Sequence, residues 1–333
     1  MFTLTTLPGP DRVIRYRQER YIGEENALTL AGFNEQDREL ATRLYSLLKQ
    51  GLNTVQTGIE RDDPVHALKR LEELGWKSTI RAFSDHFGRE LIPGVPRQLA
   101  RQIFHDMRGS ALSIATGRVD LGILKGNDAE LSDLYSIFYA IRDHLKILRN
   151  CVVDLDPPRR ERDLQQDRHS AALLREKWQE FVSPELQIEY LSDFDGDISS
   201  CCLEFSSLER VLYNLINNAA KHTADNTIRF FVTTLEDDHP ENAKFAVANK
   251  IKPEELETLE SRFHGTYQRL FDGGFTIGGS GVGLSVVAQI VSNAYGLEHP
   301  SDAAEAGYVG AAVEEGEFIA WAHWPVADKI ARE

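Results

Sequence analysis

Three short stretches of this 333-residue chain combine residue types that can handle phosphate. The first is Phe104-His105-Asp106-Met107-Arg108-Gly109-Ser110. An imidazole is a nucleophile at neutral pH. A carboxylate beside it can fix its tautomer and take up the proton released when the other nitrogen attacks phosphorus. A single histidine on a helix is more commonly an ordinary surface residue. A His-Asp pair can also serve a metal phosphohydrolase, but the further His and Asp ligands that this needs do not assemble. The second stretch is Asn214-Leu215-Ile216-Asn217-Asn218-Ala219-Ala220-Lys221-His222-Thr223. On a helix, Val211, Leu212, Leu215, Ile216 and Ala219 face inward, while Asn214, Asn218, Lys221 and His222 share the opposite surface. Asn offers a magnesium ion a neutral oxygen that does not repel phosphate, and Lys offers a point charge. The third, Gly278-Gly279-Ser280-Gly281-Val282-Gly283-Leu284-Ser285, precedes the apolar helical run Val286, Val287, Ile290 and Val291. Glycines there let backbone N–H groups approach an anion at the positive helix end. Leu284 stands where a P-loop needs Lys, and the dinucleotide spacing Gly-x-Gly-x-x-Gly is not met. Taken singly, a solvated helix face or a flexible turn explains each of these last two about as well.

The elements that must position these residues follow from hydrophobic period and punctuation. Residues 1–95 form an N-terminal module that turns helical from Asn34, with Leu40, Leu44, Leu47 and Leu48 on one face and a second helix after Asp62-Asp63-Pro64. Ile92-Pro93-Gly94-Val95-Pro96 ends it. A long helix is predicted next, with Ala100, Ile103, Met107, Ser110, Ile114, Gly117 and Leu121 in one seam, so that His105 faces solvent. After the turn Lys125-Gly126-Asn127-Asp128, a second seam runs from Leu131 to Leu155. Residues 96–158 thus read as an antiparallel hairpin, and a second copy covering its seams gives a dimeric four-helix bundle. Pro157-Pro158 and the charged run to Arg168 are expected to stop the helix, opening a linker and helix over 159–182. Residues 183–333 mix strand signals at 186–190, 227–235, 245–248 and 317–326 with helical signals at 207–222 and 282–294, an α+β layer structure.

Composition narrows the function classes. Lys and Arg number 37 against 52 Asp and Glu, and the net charge of −15 disfavours non-specific binding to nucleic acid. No apolar run approaches the ~18 residues that span a membrane, and no basic start precedes an apolar stretch at the N-terminus. The three cysteines, Cys151, Cys201 and Cys202, make a poor disulfide framework and are expected to be structural in a reducing compartment. A soluble, cytoplasmic protein is expected. Asp193-Phe194-Asp195-Gly196-Asp197 imitates part of a calcium loop, but Ile198 stands where the turn glycine belongs.

In this order the stretches resemble the histidine protein kinases of two-component signalling, with their ATP-binding domain of the gyrase and Hsp90 superfamily. The family's phosphoacceptor box, His-Glu/Asp-x-Arg-x-Pro-Leu, is similar to His105 through Leu112, with Ser110 in place of Pro. Its asparagine box is matched through Asn214, Asn218, Lys221 and Thr223, and its second glycine box by Gly279, Gly281, Gly283 and Leu284. The resemblance spans roughly residues 97–328. It departs at the first glycine box, Asp-x-Gly-x-Gly, where the chain reads Asn249-Lys250-Ile251-Lys252-Pro253. It also has Gly109 where bifunctional members carry a Thr or Asn that orients water for dephosphorylation.

The resemblance implies a helical hairpin plus an α/β-sandwich ATP-binding domain using ATP and Mg2+. His105 would be the nucleophile, Asp106 its general base, and Arg108 part of the same catalytic box. Asn218 would hold the metal. Asn214, Asn218, Lys221, His222, Asn249, Phe271, Gly279, Gly281, Gly283 and Leu284 would surround the nucleotide, with Phe271 in a lid over 264–277. The phosphoryl group would pass from His105 to an Asp of a response regulator, and the hairpin would form the homodimer. Two alternatives remain, the first favoured by loss of the first glycine box. One is a phosphotransfer adaptor or pseudokinase that docks a regulator without using ATP. The other is a serine kinase of the anti-sigma type, which would not need His105.

Overall fold

The computed structural model describes residue 10 and residues 27–90, 92–178, 182–183, 186–234, 241–275, 277 and 281–327. The chain divides into two compact units, with the change at Asp163 and Leu164.

The unit ending at Asp163 is helical. Helix α1 (Glu35–Glu60) starts where the Asn34 side chain accepts the Asp37 N–H at 2.7 Å. Helix α2 (Pro64–Glu73) is capped by Asp63 and opens on Pro64, whose missing N–H costs nothing in a first turn. There follow α3 (Trp76–His86), α4 (Arg97–Arg108), α5 (Ser110–Lys125), α6 (Leu131–Cys151) and α7 (Pro157–Asp163). Helix α6 packs on α1, α4 and α5, and α2 packs on α5, around a core that includes Leu44, Leu48, Met107, Val119, Ile137 and Ile141.

The single long helix predicted from Pro96 to Leu121 is two helices. It breaks at Gly109, whose ψ of −147° is not helical. A Cβ on Gly109 would overlap the His105 carbonyl oxygen, so the break requires glycine. The added residue shifts the buried face. Ala100, Ile103 and Met107 are buried in α4 as expected, but in α5 the buried residues are Ala111, Leu112, Ala115, Val119 and Gly122. The predicted seam is turned outward, with Gly117 and Leu121 exposed and Ile114 half-buried. A second difference lies at Pro157, which begins α7 where the sequence was expected to leave helix.

The unit from Leu164 contains β1 (Gln166–Ser170), α8 (Ala172–Trp178), β2 (Val182–Ser183), β3 (Leu186–Ser192), β4 (Asp197–Cys201), α9 (Cys202–His222) and β5 (Thr223–Thr234). It continues through β6 (Asn242–Ile251), α10 (Pro253–Phe263), a 3-10 turn at Tyr267–Asp272, α11 (Gly283–Tyr295), α12 (Pro300–Glu305), β7 (Val309–Glu314) and β8 (Glu317–Pro325). Six strands form one sheet in the order β2-β3-β5-β6-β8-β7, parallel only between β3 and β5. Strands β1 and β4 make a separate antiparallel pair. Helices α9 and α11 pack on the large sheet and on each other. Alternation along β6 puts Phe245, Val247 and Asn249 on one face and Ala246 and Ala248 on the other, where they cluster with Ile319 and Trp321. In the calcium-like turn each carboxylate already has a partner within the protein. Asp193 accepts from Thr233 at 2.8 Å, Asp195 pairs with Arg175 at 2.8 Å, and Asp197 pairs with Arg168 at 3.0 Å. No helix among the described residues is long and apolar enough to cross a membrane.

A fully buried imidazole in each unit, His144 in one and His323 in the other, contributes to its acid response. Burial pushes His144 in α6 down to about 4, against smaller upward pulls from the Met107 backbone and Asp106. His323 in β8 is pushed down to about 3, by burial first and by Lys244 next. Below the ordinary 6.5 the unfolded chain therefore binds protons that the folded chain refuses. The stabilisation is complete above pH 6.5 and is lost as pH falls toward 4 for His144 and 3 for His323. Urea midpoints are expected to fall steadily between about pH 7 and about pH 4.5. A flat profile would show that both imidazoles can be protonated within the fold.

Candidate functional site

Helix α9 carries the asparagine-rich stretch on a face that changes character along its length. Leu208, Leu212, Leu215 and Ala219 anchor it, and Asn214 is buried with them at 5% exposure. Asn214 was expected on the outer surface. Instead its Nδ2 donates to the Arg210 carbonyl at 2.8 Å, which aims Oδ1 at α11, 3.2 Å from where a Cβ on Gly283 would sit. Asn218 is half-buried and Lys221 exposed, so the row opens outward toward the end of α9. His222 turns away from it, its Nδ1 lying 2.9 Å from Glu255 Oε2 of α10.

The glycines lie where α11 begins. Gly279 lies outside the described residues. Gly281 has φ +67°, its carbonyl accepts the Gly274 N–H at 3.1 Å, and a Cβ there would meet the Phe275 carbonyl oxygen at 3.0 Å. Only glycine suits that place. Gly283 is the first residue of α11, followed by the half-buried Leu284. The structure thus brings the asparagine stretch and the last two glycines together, with the N–H groups that open α11 beside Asn214.

Asn249 lies near the end of β6, opposite Ile228 on β5 and Phe318 on β8. It is 2% exposed. Its Nδ2 donates to the Lys250 carbonyl at 3.2 Å, while Oδ1 is buried with no hydrogen-bond partner. Such a carbonyl costs roughly 1–3 kcal/mol until a donor reaches it. The exocyclic amine of adenine is a donor of the right kind, so the residues present fit an adenine nucleotide. The missing glycine box has a structural counterpart, because β6 runs on to Ile251 and Pro253 already begins α10. Phe271 needs correction. It was expected in a lid, but it is 2% exposed within the 3-10 turn that packs on α11, α12 and β7, so apolar burial makes it core.

In the helical unit, His105 is half-buried rather than facing open solvent. Its Nδ1 lies 3.5 Å from Asp106 Oδ1 and is shielded from water. Asp106 is buried at 6% exposure. Arg108 folds back on its own turn, donating from Nε to the Phe104 carbonyl at 3.4 Å with its guanidinium 5.9 Å from the Phe104 ring. Burial draws its basicity below the usual arginine value, against a smaller pull from Asp37.

Residues 205–314 match the family model of the histidine kinase-, DNA gyrase B- and HSP90-like ATPases. No curated protein matches the chain. Among solved structures, the histidine kinase domain of the E. coli osmosensor EnvZ is 25% identical, covering 51% of this chain and 94% of that one with a TM-score of 0.30. The catalytic domain of the histidine kinase ThkA is 20% identical over 47% of this chain and 87% of its own, with a TM-score of 0.30. Full-length ShkA in complex with AMPPNP is 20% identical over 71% of this chain and 47% of its own, with a TM-score of 0.34. The family match covers most of α9, all of α11 and three of the six strands, β5, β6 and β7, the elements that hold Asn214, Asn249 and Gly283, and over these residues the chain carries the ATPase domain shared by histidine kinases, DNA gyrase B and HSP90.

Proposed function

We propose that this chain is a protein-histidine kinase that transfers the γ-phosphoryl group of ATP to His105 and then to an Asp of a response regulator. The observation that carries the nucleotide half of this reading is the buried Asn249 Oδ1 without a donor, inside a domain of an ATPase family. Asn249 would accept from the adenine amine, Asn214 would brace the opening of α11, and Asn218 and Lys221 would face the phosphates and the metal. Bound Mg2+ would neutralise charge on the phosphate oxygens. At the acceptor, the shielded Nδ1 holds its proton toward Asp106, leaving Nε2 to attack. The bond from Nε2 to phosphorus forms as the bond to the ADP oxygen breaks, and Asp106 takes the Nδ1 proton. Binding of labelled ATP with magnesium, followed by recovery of acid-labile phosphate on the protein, tests the reading directly.

A neutral Asn accepts less strongly than a carboxylate. Asn249→Asp is therefore expected to tighten ATP binding by about 1 kcal/mol or less, read by calorimetry. The direct passage from β6 into α10 favours the adaptor reading, in which the ATP-binding domain has decayed and the hairpin docks a regulator without ATP. Absence of nucleotide binding in both forms would support that alternative.

The homodimer belongs to the same proposal. The shift at Gly109 leaves Ile114, Gly117, Leu121 and Leu124 in a stripe on the outer face of α5, with Leu121 38% and Leu124 78% exposed. Burial in a second copy would relieve that exposure. Since a buried Leu contributes about 1.5–3 kcal/mol, Leu124→Glu is expected to weaken dimerisation by about tenfold or more in sedimentation equilibrium. Unchanged association would move the interface to another face.

The regulator would be dephosphorylated poorly, because Gly109 offers no side chain to hold water. Gly109→Thr does not simply supply one, since any Cβ there would overlap the His105 carbonyl and undo the break between α4 and α5.

A further inference from the structure

We propose that Asp167, His169 and Cys202 form a divalent transition-metal site, suited to zinc, that ties β1 to the first residue of α9. One ligand atom from each lies within 4.8 Å of the others. His169 Nε2 stands between the other two, 3.6 Å from Cys202 Sγ and 3.8 Å from Asp167 Oδ2. Around a tetrahedral zinc, with bonds of about 2.0–2.3 Å, such ligands sit about 3.3–3.7 Å apart. The nitrogen–sulfur pair already meets that spacing. The carboxylate is the arm that closes, and it is free to swing because its side chain is 69% exposed.

The backbone accounts for the convergence. Asp167 and His169 are two apart on β1, and register shifts on either side of His169 interrupt the regular alternation of the strand and bend it, so that the Asp167 carboxylate comes within 3.8 Å of His169 Nε2. Gln166 pairs with Cys201, which brings the start of α9 alongside β1. The His169 ring is held flat on Phe205, with centroids 4.6 Å apart and planes at 13°, fixing the direction of Nε2. Cys202 opens a 21-residue helix, where the positive helix end favours a thiolate ligand. On binding, Cys202 loses its thiol proton to solvent and His169 coordinates as neutral imidazole. Three protein ligands with an exposed side leave a fourth position for water. Thiolate and imidazole select zinc, cobalt or copper over magnesium and calcium. The site is separate from the residues proposed to hold nucleotide, yet it braces the helix that carries Asn214 and Asn218.

The test uses the reduced full-length chain and Co2+ as a spectroscopic probe, followed by displacement with Zn2+. One equivalent of Co2+ is expected to give a sulfur-to-cobalt charge-transfer band that Zn2+ abolishes. The band should be lost in Cys202→Ser and His169→Ala and retained in Cys201→Ser. Asp167→Asn, at an exposed position, should keep the fold and weaken Co2+ binding. It answers for the site if either core variant fails to fold by circular dichroism. Absence of the band in the wild-type chain, its dependence on Cys201 instead, or unchanged Co2+ affinity in folded Asp167→Asn would overturn the proposal. None of these outcomes depends on ATP binding or phosphorylation, so the site and the kinase reading stand or fall apart.

Discussion

The full-length chain carrying His105→Gln is expected to take up no acid-labile phosphate from Mg-ATP, while retaining its helical content and its affinity for nucleotide. Glutamine approximates the imidazole in size and polarity but has no lone pair basic enough to attack phosphorus at neutral pH. The loss should therefore be complete rather than partial. The substitution leaves the packing of α4 in place, because the helix is anchored by Ala100, Ile103, Phe104 and Met107, all buried, whereas His105 is half-buried beside them. Nucleotide affinity should persist because Asn214, Asn249 and Gly283 belong to the other compact unit. Phosphoramidates hydrolyse in acid whereas serine and threonine phosphates survive, so the stability of the product distinguishes the acceptor chemistry. Acid-labile phosphate persisting on His105→Gln would place the acceptor on another histidine. Acid-stable phosphate on both forms would favour hydroxyl chemistry of the serine-kinase kind.

The legible parts of this molecule were those whose geometry is local. Ser207 to His222 reads as helix, and Gly281 and Gly283 read as the approach to another, because spacings of three and four and a run of glycines constrain the backbone over a few residues. The four strands expected from branched and aromatic residues are present as β3, β5, β6 and β8. The break at Gly109 was not legible. Small residues at Ser110 and Gly117 fit the predicted seam of α5 as well as Ala111 and Ala115 fit the actual one, and coverage of the second face by α2 and α6 decides between them. Phe271 failed for a related reason, since an aromatic residue among glycines has no period that reveals whether it faces core or ligand. The pair Asp167 and His169 was hidden in a charged run. A five-residue strand with three exposed positions carries too little alternation to be recognised, and its partner Cys202 lies beyond a helix and three intervening strands.

Asp163→Ala is expected to destabilise the helical unit by about 3–5 kcal/mol, the usual cost of stranding one member of a buried ion pair. Arg149 Nε meets Asp163 Oδ2 at 2.6 Å, with the two side chains only 5% and 6% exposed. The guanidinium also reaches the Tyr45 hydroxyl at 3.3 Å, and that hydroxyl donates to Asp156 at 2.8 Å. The network ties α7 to α1 and to the end of α6, two helices that also pack directly on each other. Deleting the Asp163 carboxylate leaves a guanidinium that water cannot reach, so desolvation of Arg149 is no longer offset by a partner. The pair itself need not be a large net stabiliser, because burying both charges costs nearly as much as their attraction returns. Replacing both, as Arg149→Met with Asp163→Leu, should therefore recover most of the loss. Urea denaturation of the two single variants and the double variant measures this coupling. A single-variant cost under about 1 kcal/mol would mean that water enters around Arg149 and the pair behaves as an exposed one. A double variant as unstable as Asp163→Ala would instead assign the stabilisation to the geometry of the hydrogen-bond network and not to cancellation of charge.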